Sequence, residues 1–295
     1  MFYNLTDYIS KDQTYAAFCG GFGDVWKCTL HIPNTKKIKV AVKALRGCMS
    51  DAPDVVKKKN TRIAHELKIC ANLSHLNILP VYGVTDGFSP HIAIVSRWAE
   101  NGNLTAYLGV SGDLTLVRRF QMLRDIIAGL RYLHANKIIH GDLTGPNVLI
   151  YADGTACLAD FGLSLMYSDV ISPSQASWTS TFKGNMRWMA PERLLGNVDG
   201  SVVKPTEQSD VFSFGGIMLQ VLTNDVPYYY INGPAIQSLI IQSKTPSRSQ
   251  YSLNEKYWSL IEPCWSTRPW DRPSPAAIDG AIRNELLALH ATTRT

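Results

Sequence analysis

Asp142 and Asn147 stand five residues apart in a short polar loop within Ile139-His140-Gly141-Asp142-Leu143-Thr144-Gly145-Pro146-Asn147-Val148-Leu149-Ile150. A carboxylate can take a proton from a hydroxyl, and a carboxamide offers a neutral oxygen to a hard cation such as Mg2+. The flanking apolar residues make the stretch read as strand, loop, strand. A surface turn rich in Gly and Pro carries the same letters, so the loop is only suggestive when taken alone. Three other stretches have comparable chemistry. The turn Gly20-Gly21-Phe22-Gly23-Asp24-Val25 lets backbone N–H groups approach a phosphate, although a hairpin alone also explains it. Lys43 ends Val40-Ala41-Val42-Lys43, where an amine either grips a ligand or snorkels to the surface. Asp160, in Leu158-Ala159-Asp160-Phe161-Gly162, either ligates a metal or caps a turn.

The elements that must position these residues follow from periodicity. Residues 15–43 read as strands around the glycine turn, with polar and apolar residues alternating over 39–43. Residues 55–73 take helical spacing, with Ile63, Leu67 and Cys70 on one face and Glu66 beside it. Two short apolar runs, 78–84 and 91–98, complete a sheet, and 100–103 read as a hinge. A helix over 116–134 carries the stripe Leu116, Phe120, Leu123, Ile127, Leu130. Another, over 210–222, is apolar nearly all round and therefore buried, and 256–264 and 275–289 close the chain. Strands first and helices later predict the α+β class.

At 295 residues the chain is one large domain or two lobes, and 45% hydrophobic with 18% charged residues describes an ordinary soluble protein. Its start lacks the pattern of a signal peptide, and no apolar run reaches the roughly 20 residues that span a bilayer, so no membrane segment and a cytoplasmic or nuclear location are expected. The net charge of +5 is mild, and the Lys57-Lys58-Lys59 cluster reads as a solvated face rather than a nucleic-acid patch. Six cysteines without a C-x-x-C pair indicate reduced thiols rather than zinc or disulfides.

In chain order the glycine turn, Lys43, a helical Glu66, the Asp142 loop and Asp160-Phe161-Gly162 resemble the protein kinase signature set. Arg187-Trp188-Met189-Ala190-Pro191-Glu192, Ser209-Asp210-Val211-Phe212-Ser213-Phe214-Gly215, Cys264-Trp265 and Asp271-Arg272-Pro273-Ser274 extend the resemblance over about residues 14–285. These forms look most like the tyrosine-kinase-like branch, and His-Gly-Asp-Leu looks like fungal members. The resemblance implies a bilobal kinase fold, with a small antiparallel sheet plus one helix as N-lobe (14–99) and a mainly helical C-lobe (100–285), between an N-terminal extension (1–13) and a C-terminal tail (286–295). It further implies ATP and Mg2+ as cofactors and protein substrates as partners. Lys43 would hold the α- and β-phosphates and pair with Glu66, and Phe18, Gly20, Gly21 and Gly23 would form the phosphate-covering loop. Val25, Ala41 and Leu149 would sandwich adenine, Ser96 would be the gatekeeper, and Arg97 to Ala99 the hinge strand. Asp142 would be the catalytic base, with Asn147 and Asp160 as Mg2+ ligands. Glu192 would pair with Arg272, Asp210 would lie beneath the loop, and His140 and Phe161 would pack.

Several positions depart from that family's pattern. Phe18 replaces the first glycine of the phosphate loop and implies a stiffer lid. Gly141 stands where most kinases have the arginine that binds an activation-segment phosphate, so phosphorylation within 163–183 is expected to change activity little. Thr144 replaces the lysine of serine/threonine kinases, and Pro146 does not supply the arginine of tyrosine kinases, which leaves the loop without a cation. Asn185 replaces a threonine whose hydrogen bond to Asp142 a carboxamide can still make. Ser/Thr acceptors are favoured over Tyr, and the many hydroxyls of 163–182 suit autophosphorylation, though solvated loops are rich in serine anyway. Two other readings stand: a pseudokinase acting as an ATP-binding scaffold, motivated by Thr144 and Asn185, and a small-molecule phosphotransferase, which Ala190-Pro191-Glu192 opposes.

Overall fold

The computed structural model describes residues 3–20, 23–45, 57, 60, 61, 67, 72–161, 186–195 and 203–292. The chain forms two compact units, one built on residues up to Glu100 and one on residues from Asn101 onward. The first is mainly sheet and the second mainly helix, which gives the α+β class.

The first unit holds β1 (Tyr3–Asn4), β2 (Ile9–Lys11), β3 (Phe18–Gly20), β4 (Gly23–Leu30), β5 (Ile38–Leu45), β6 (Val81–Thr85) and β7 (Ala93–Arg97). All seven belong to one sheet, ordered β1-β6-β7-β5-β4-β2 with β3 on β4. Its pairs are antiparallel except β1 with β6. The first 13 residues, read from sequence as an extension, therefore add two strands to the sheet. Period-2 alternation divides the faces. Cys28, Leu30, Val40, Val42, Ala44, Ala93 and Val95 pack into the core with Leu5 and Trp26. Their neighbours Val25, Ala41, Lys43 and Ser96 take the other face, because Val25 lies opposite Lys43 and Ala41 opposite Ser96. Within the predicted helix at 55–73, the described residues Lys57, Asn60, Thr61 and Leu67 are helical and Leu67 is buried, whereas Asn72 and Leu73 at its end are not helical.

The second unit holds α1 (Leu104–Val110), α2 (Leu116–Ala135), the hairpin β8 (Val148–Ile150) and β9 (Ala156–Leu158), α3 (Pro191–Leu195), α4 (Glu207–Thr223), α5 (Gly233–Ile241), α6 (Glu255–Ile261) and α7 (Pro275–Thr292). Phe120, Leu123, Ile127 and Leu130 of the predicted stripe are buried, whereas Leu116 in the first turn of α2 is exposed. Residues 256–264 are not one helix: α6 gives way to a 3-10 turn at Glu262–Trp265, where Pro263 lacks the N–H that an α-helix would need. Among the described residues no helix is long and apolar enough to cross a membrane.

Helix α4 is the central element. Every residue from Ser209 to Leu222 is buried, which is why its sequence shows no polar stripe. It starts in a capping box between Thr206 and Ser209 and ends at Asn224 in the left-handed conformation. Gly216 is needed because a Cβ there would sit 2.8 Å from the ring of Trp188. Ser213, one turn earlier, donates its hydroxyl to the carbonyl of Trp188 at 2.8 Å. Asp210, one turn earlier again, accepts the backbone N–H groups of His140 at 2.8 Å and Gly141 at 2.9 Å, and His134 Nε2 lies 2.9 Å from the same carboxylate.

Farther along, Arg272 joins the segments around α3 and α4. Its guanidinium meets both oxygens of Glu192, at 2.6 and 2.9 Å, and donates to the carbonyls of Gln208 and Ser266. The Arg272 side chain is wholly buried and lies over the ring of Phe212. Removing the anion strands that charge, so Glu192→Ala should cost about 3 kcal/mol, read as a Tm lowered by roughly 10 °C. Asp210→Asn should leave one of two buried amides without an acceptor, at about 1–3 kcal/mol. Hydrogen exchange should then accelerate at His140 and Gly141 and stay unchanged in β4.

Candidate active site

In the first unit, the sheet register places the expected nucleotide residues together. Val25 and Lys43 face each other across β4 and β5, Ala41 is two residues from Lys43 on the same face, and Ser96 lies opposite Ala41 on β7. Ser96 is buried, so its small side chain is enclosed rather than solvated. Gly20 pairs with Gly23 at the tight end of the β3–β4 hairpin. Arg97 ends β7 with an exposed side chain, and Ala99, two residues on, is buried. Phe18, half exposed, stacks on Trp98 with ring centroids 6.3 Å apart and planes inclined by 24°. Lys27 sits over the same indole at 5.0 Å. The aromatic residue at 18 thus ties β3 to the segment after β7, a contact that glycine cannot make. Gly21 and Glu66 lie outside the described residues.

In the second unit, the polar loop differs from the strand-loop-strand reading. No strand precedes it, and residues Gly145–Asn147 form a 3-10 turn before β8. The upstream residues are held instead by Asp210, whose carboxylate takes the place of a strand partner for two consecutive amides. Gly141 has φ of 75°, which glycine adopts freely. His140 is fully buried, and burial pushes its pKa down although Asp210 and Asp160 pull it up. A neutral imidazole fits its contacts: Nδ1 accepts the N–H of Asp142 at 3.3 Å, and the ring meets Phe161 edge-on at 6.3 Å.

The carboxamide of Asn147 binds Asp142 directly. Its Nδ2 donates to Asp142 Oδ2 and to the Asp142 carbonyl, both at 2.8 Å, which fixes the carboxylate and orients the amide group. The hairpin then sets the second acid. Val148 pairs with Leu158, Leu149 with Cys157, and the N–H of Ala159 donates to the Asn147 carbonyl at 2.9 Å. Asp160 therefore follows one residue after the partner of Asn147, in a left-handed conformation with φ of 59° that Asp tolerates. One carboxylate and one carboxamide oxygen on adjoining strand ends suit Mg2+, which takes few protein ligands and completes its shell with water and phosphate oxygens. No cluster of three or more His, Cys, Asp or Glu suited to a metal occurs among the described residues. Leu149, in the middle of β8, is half-buried.

Thr144 is buried, and its hydroxyl has no hydrogen-bond partner among the described residues. It does not face solvent where a lysine would act. Sequence reasoning missed two neighbours of the loop. His134, the third group on Asp210, lies one helix away and has no local signal. Arg193 lines a crevice with Gly141, Asp142, Thr144, Trp188 and Asp210, although it follows Glu192 with nothing in the letters to suggest it. Lys183, Asn185 and Gly162 lie outside the described residues. Cys28, Cys157 and Cys264 are buried, and burial raises the Cys264 thiol to about 12, as befits packing rather than chemistry.

The comparisons with known proteins agree with this arrangement. Residues 18–282 match the family model described as protein tyrosine and serine/threonine kinase. Over 276 residues the chain is 30% identical to ephrin type-B receptor 4b of Danio rerio and to ephrin type-B receptor 1 of Gallus gallus, and over 274 residues to ephrin type-A receptor 3 of Danio rerio. Each alignment covers 90% of this chain but 26% of the relative, so the chain spans about a quarter of the length of these proteins. This match along nearly the whole chain places it in the protein tyrosine and serine/threonine kinase family.

Proposed function

We propose that the chain is an ATP- and Mg2+-dependent protein kinase of the tyrosine-kinase-like branch that transfers the γ-phosphoryl group to protein hydroxyls, Ser/Thr in preference to Tyr. The observation that carries this reading is the Asn147–Asp142 contact, which holds a general base and orients a neutral oxygen ligand in one hydrogen-bonded unit. Bound Mg2+ supplies charge neutralisation for the moving phosphoryl group, and Asn147 and Asp160 would hold it. Asp142 would accept the proton of the attacking hydroxyl at its carboxylate, while Asp210 keeps the loop backbone in register. Lys43, with Gly20 and Gly23 of the hairpin, would bind phosphates, and Val25, Ala41 and Leu149 would contact adenine beside the small gatekeeper Ser96.

The acceptor preference rests on the loop. Pro146 is exposed and brings no guanidinium, and Met186 and Arg187 precede Trp188, with Arg187 committed to the carbonyls of Pro227 and Tyr228. Enclosure of Thr144 favours a second reading, an ATP-binding signalling scaffold with little transfer. Purified protein with labelled ATP, Mg2+ and a substrate-peptide array separates the two. Incorporation into Ser and Thr peptides that falls by roughly 100-fold or more in Asp142→Asn is the expected result. Labelling no greater than that of the variant would leave the scaffold, and labelling confined to Tyr peptides would reverse the acceptor preference.

A further inference from the structure

We propose that Arg193, in α3, is a cation facing Asp142, a positioning residue in place of the loop cations absent at Gly141 and Thr144. The inference rests on the kinase reading for the task of Asp142, and on the second unit for everything else. Arg193 and Asp142 line one crevice with Asp210 and Thr144. Burial weakens the hold of the guanidinium on its proton, and Asp210, Asp142 and Glu192 oppose that effect, so these are the three carboxylates whose charge it feels. An arginine stays protonated under such conditions.

Two of those carboxylates are heavily committed elsewhere. Glu192 gives both oxygens to Arg272, and Asp210 accepts two backbone amides and meets His134. Asp142 takes a hydrogen bond from Asn147, which is neutral, so that contact fixes its orientation without supplying positive charge. The crevice then sets two carboxylates, Asp142 and Asp210, against one guanidinium. Arg193 Nη1 is buried without a hydrogen-bond partner among the described residues, as are Thr144 Oγ1 and Trp188 Nε1 on the same crevice. Three unpaired donors walling one crevice next to a general base are costly unless they hold a charged group or ordered water in place. A cation reaching Asp142 from the Ala-Pro-Glu side also explains how the loop dispenses with charge at both 141 and 144. It couples the base to the segment that begins at Trp188.

The test uses the whole chain with Arg193→Gln, Arg193→Lys and Asp142→Asn. Arg193→Gln should lower kcat roughly tenfold or more while KM for ATP stays within about twofold, and Arg193→Lys should restore most of the loss. A purely structural arginine would give equal losses for Gln and Lys, and that outcome overturns the proposal. Independently of turnover, a double-mutant thermal-melt cycle at pH 7 should show Arg193→Gln shifting Tm by different amounts in the wild-type chain and in the Asp142→Asn variant. Equal shifts overturn the pairing. Absence of transfer in the wild type would sink the kinase reading alone, since the melt cycle still decides whether Arg193 faces Asp142. If the Gln variant does not fold, a folded Lys variant decides: near wild-type kcat supports the charge role, and activity as low as that of Asp142→Asn contradicts it.

Discussion

One buried carboxylate sets the backbone from which the candidate chemistry projects. Asp210 lies inside α4, almost without solvent contact, and spends its oxygens on two successive loop amides and an imidazole. A buried acid is tolerated only when fully bonded, and two N–H groups with no strand partner need an acceptor, so each side of the arrangement satisfies the other. The same helix presents Ser213 and Gly216 at one-turn intervals, and these bond and admit Trp188. The loop and the segment at Trp188 are therefore positioned by one face of one helix. The Glu192–Arg272 pair, anchored to the carbonyl of Gln208 in that helix, fastens the far end.

The sheet obeys a simpler constraint. Alternation in β4, β5 and β7 sends Cys28, Val40, Val42 and Val95 into the core and must send Val25, Ala41, Lys43 and Ser96 the other way. A one-residue slip would bury Lys43 and expose Val42, so the hydrophobic pattern fixes the position of the lysine as firmly as any contact of its own.

Local pattern made much of this legible. The period-2 strands, the stripe of α2 and the family motifs around Asp142 and Asp160 all depend on residues near in sequence, and the α+β class follows from their order. What stayed hidden depends on the path of the chain. The residues before the loop read as a strand because Ile138 and Ile139 are apolar, but their neighbours bond to a side chain rather than to a ladder. Leu116 fits the helical stripe by spacing yet lies in the first turn, beyond the reach of the core. Strands β1 and β2 are too short for periodicity to detect. Arg193 has no signature at all, since only tertiary packing brings it into the crevice that Asp142 also lines.

The central claim is that Asp210 sets the geometry of Asp142, the proposed base, without touching substrate. Single-turnover phosphoryl transfer by Asp210→Asn, compared with the wild type at saturating ATP, tests it most directly. A displacement of the loop on the order of 1 Å predicts a rate lowered by roughly 100-fold with ATP affinity retained. Transfer at the wild-type rate in a folded variant would contradict the account.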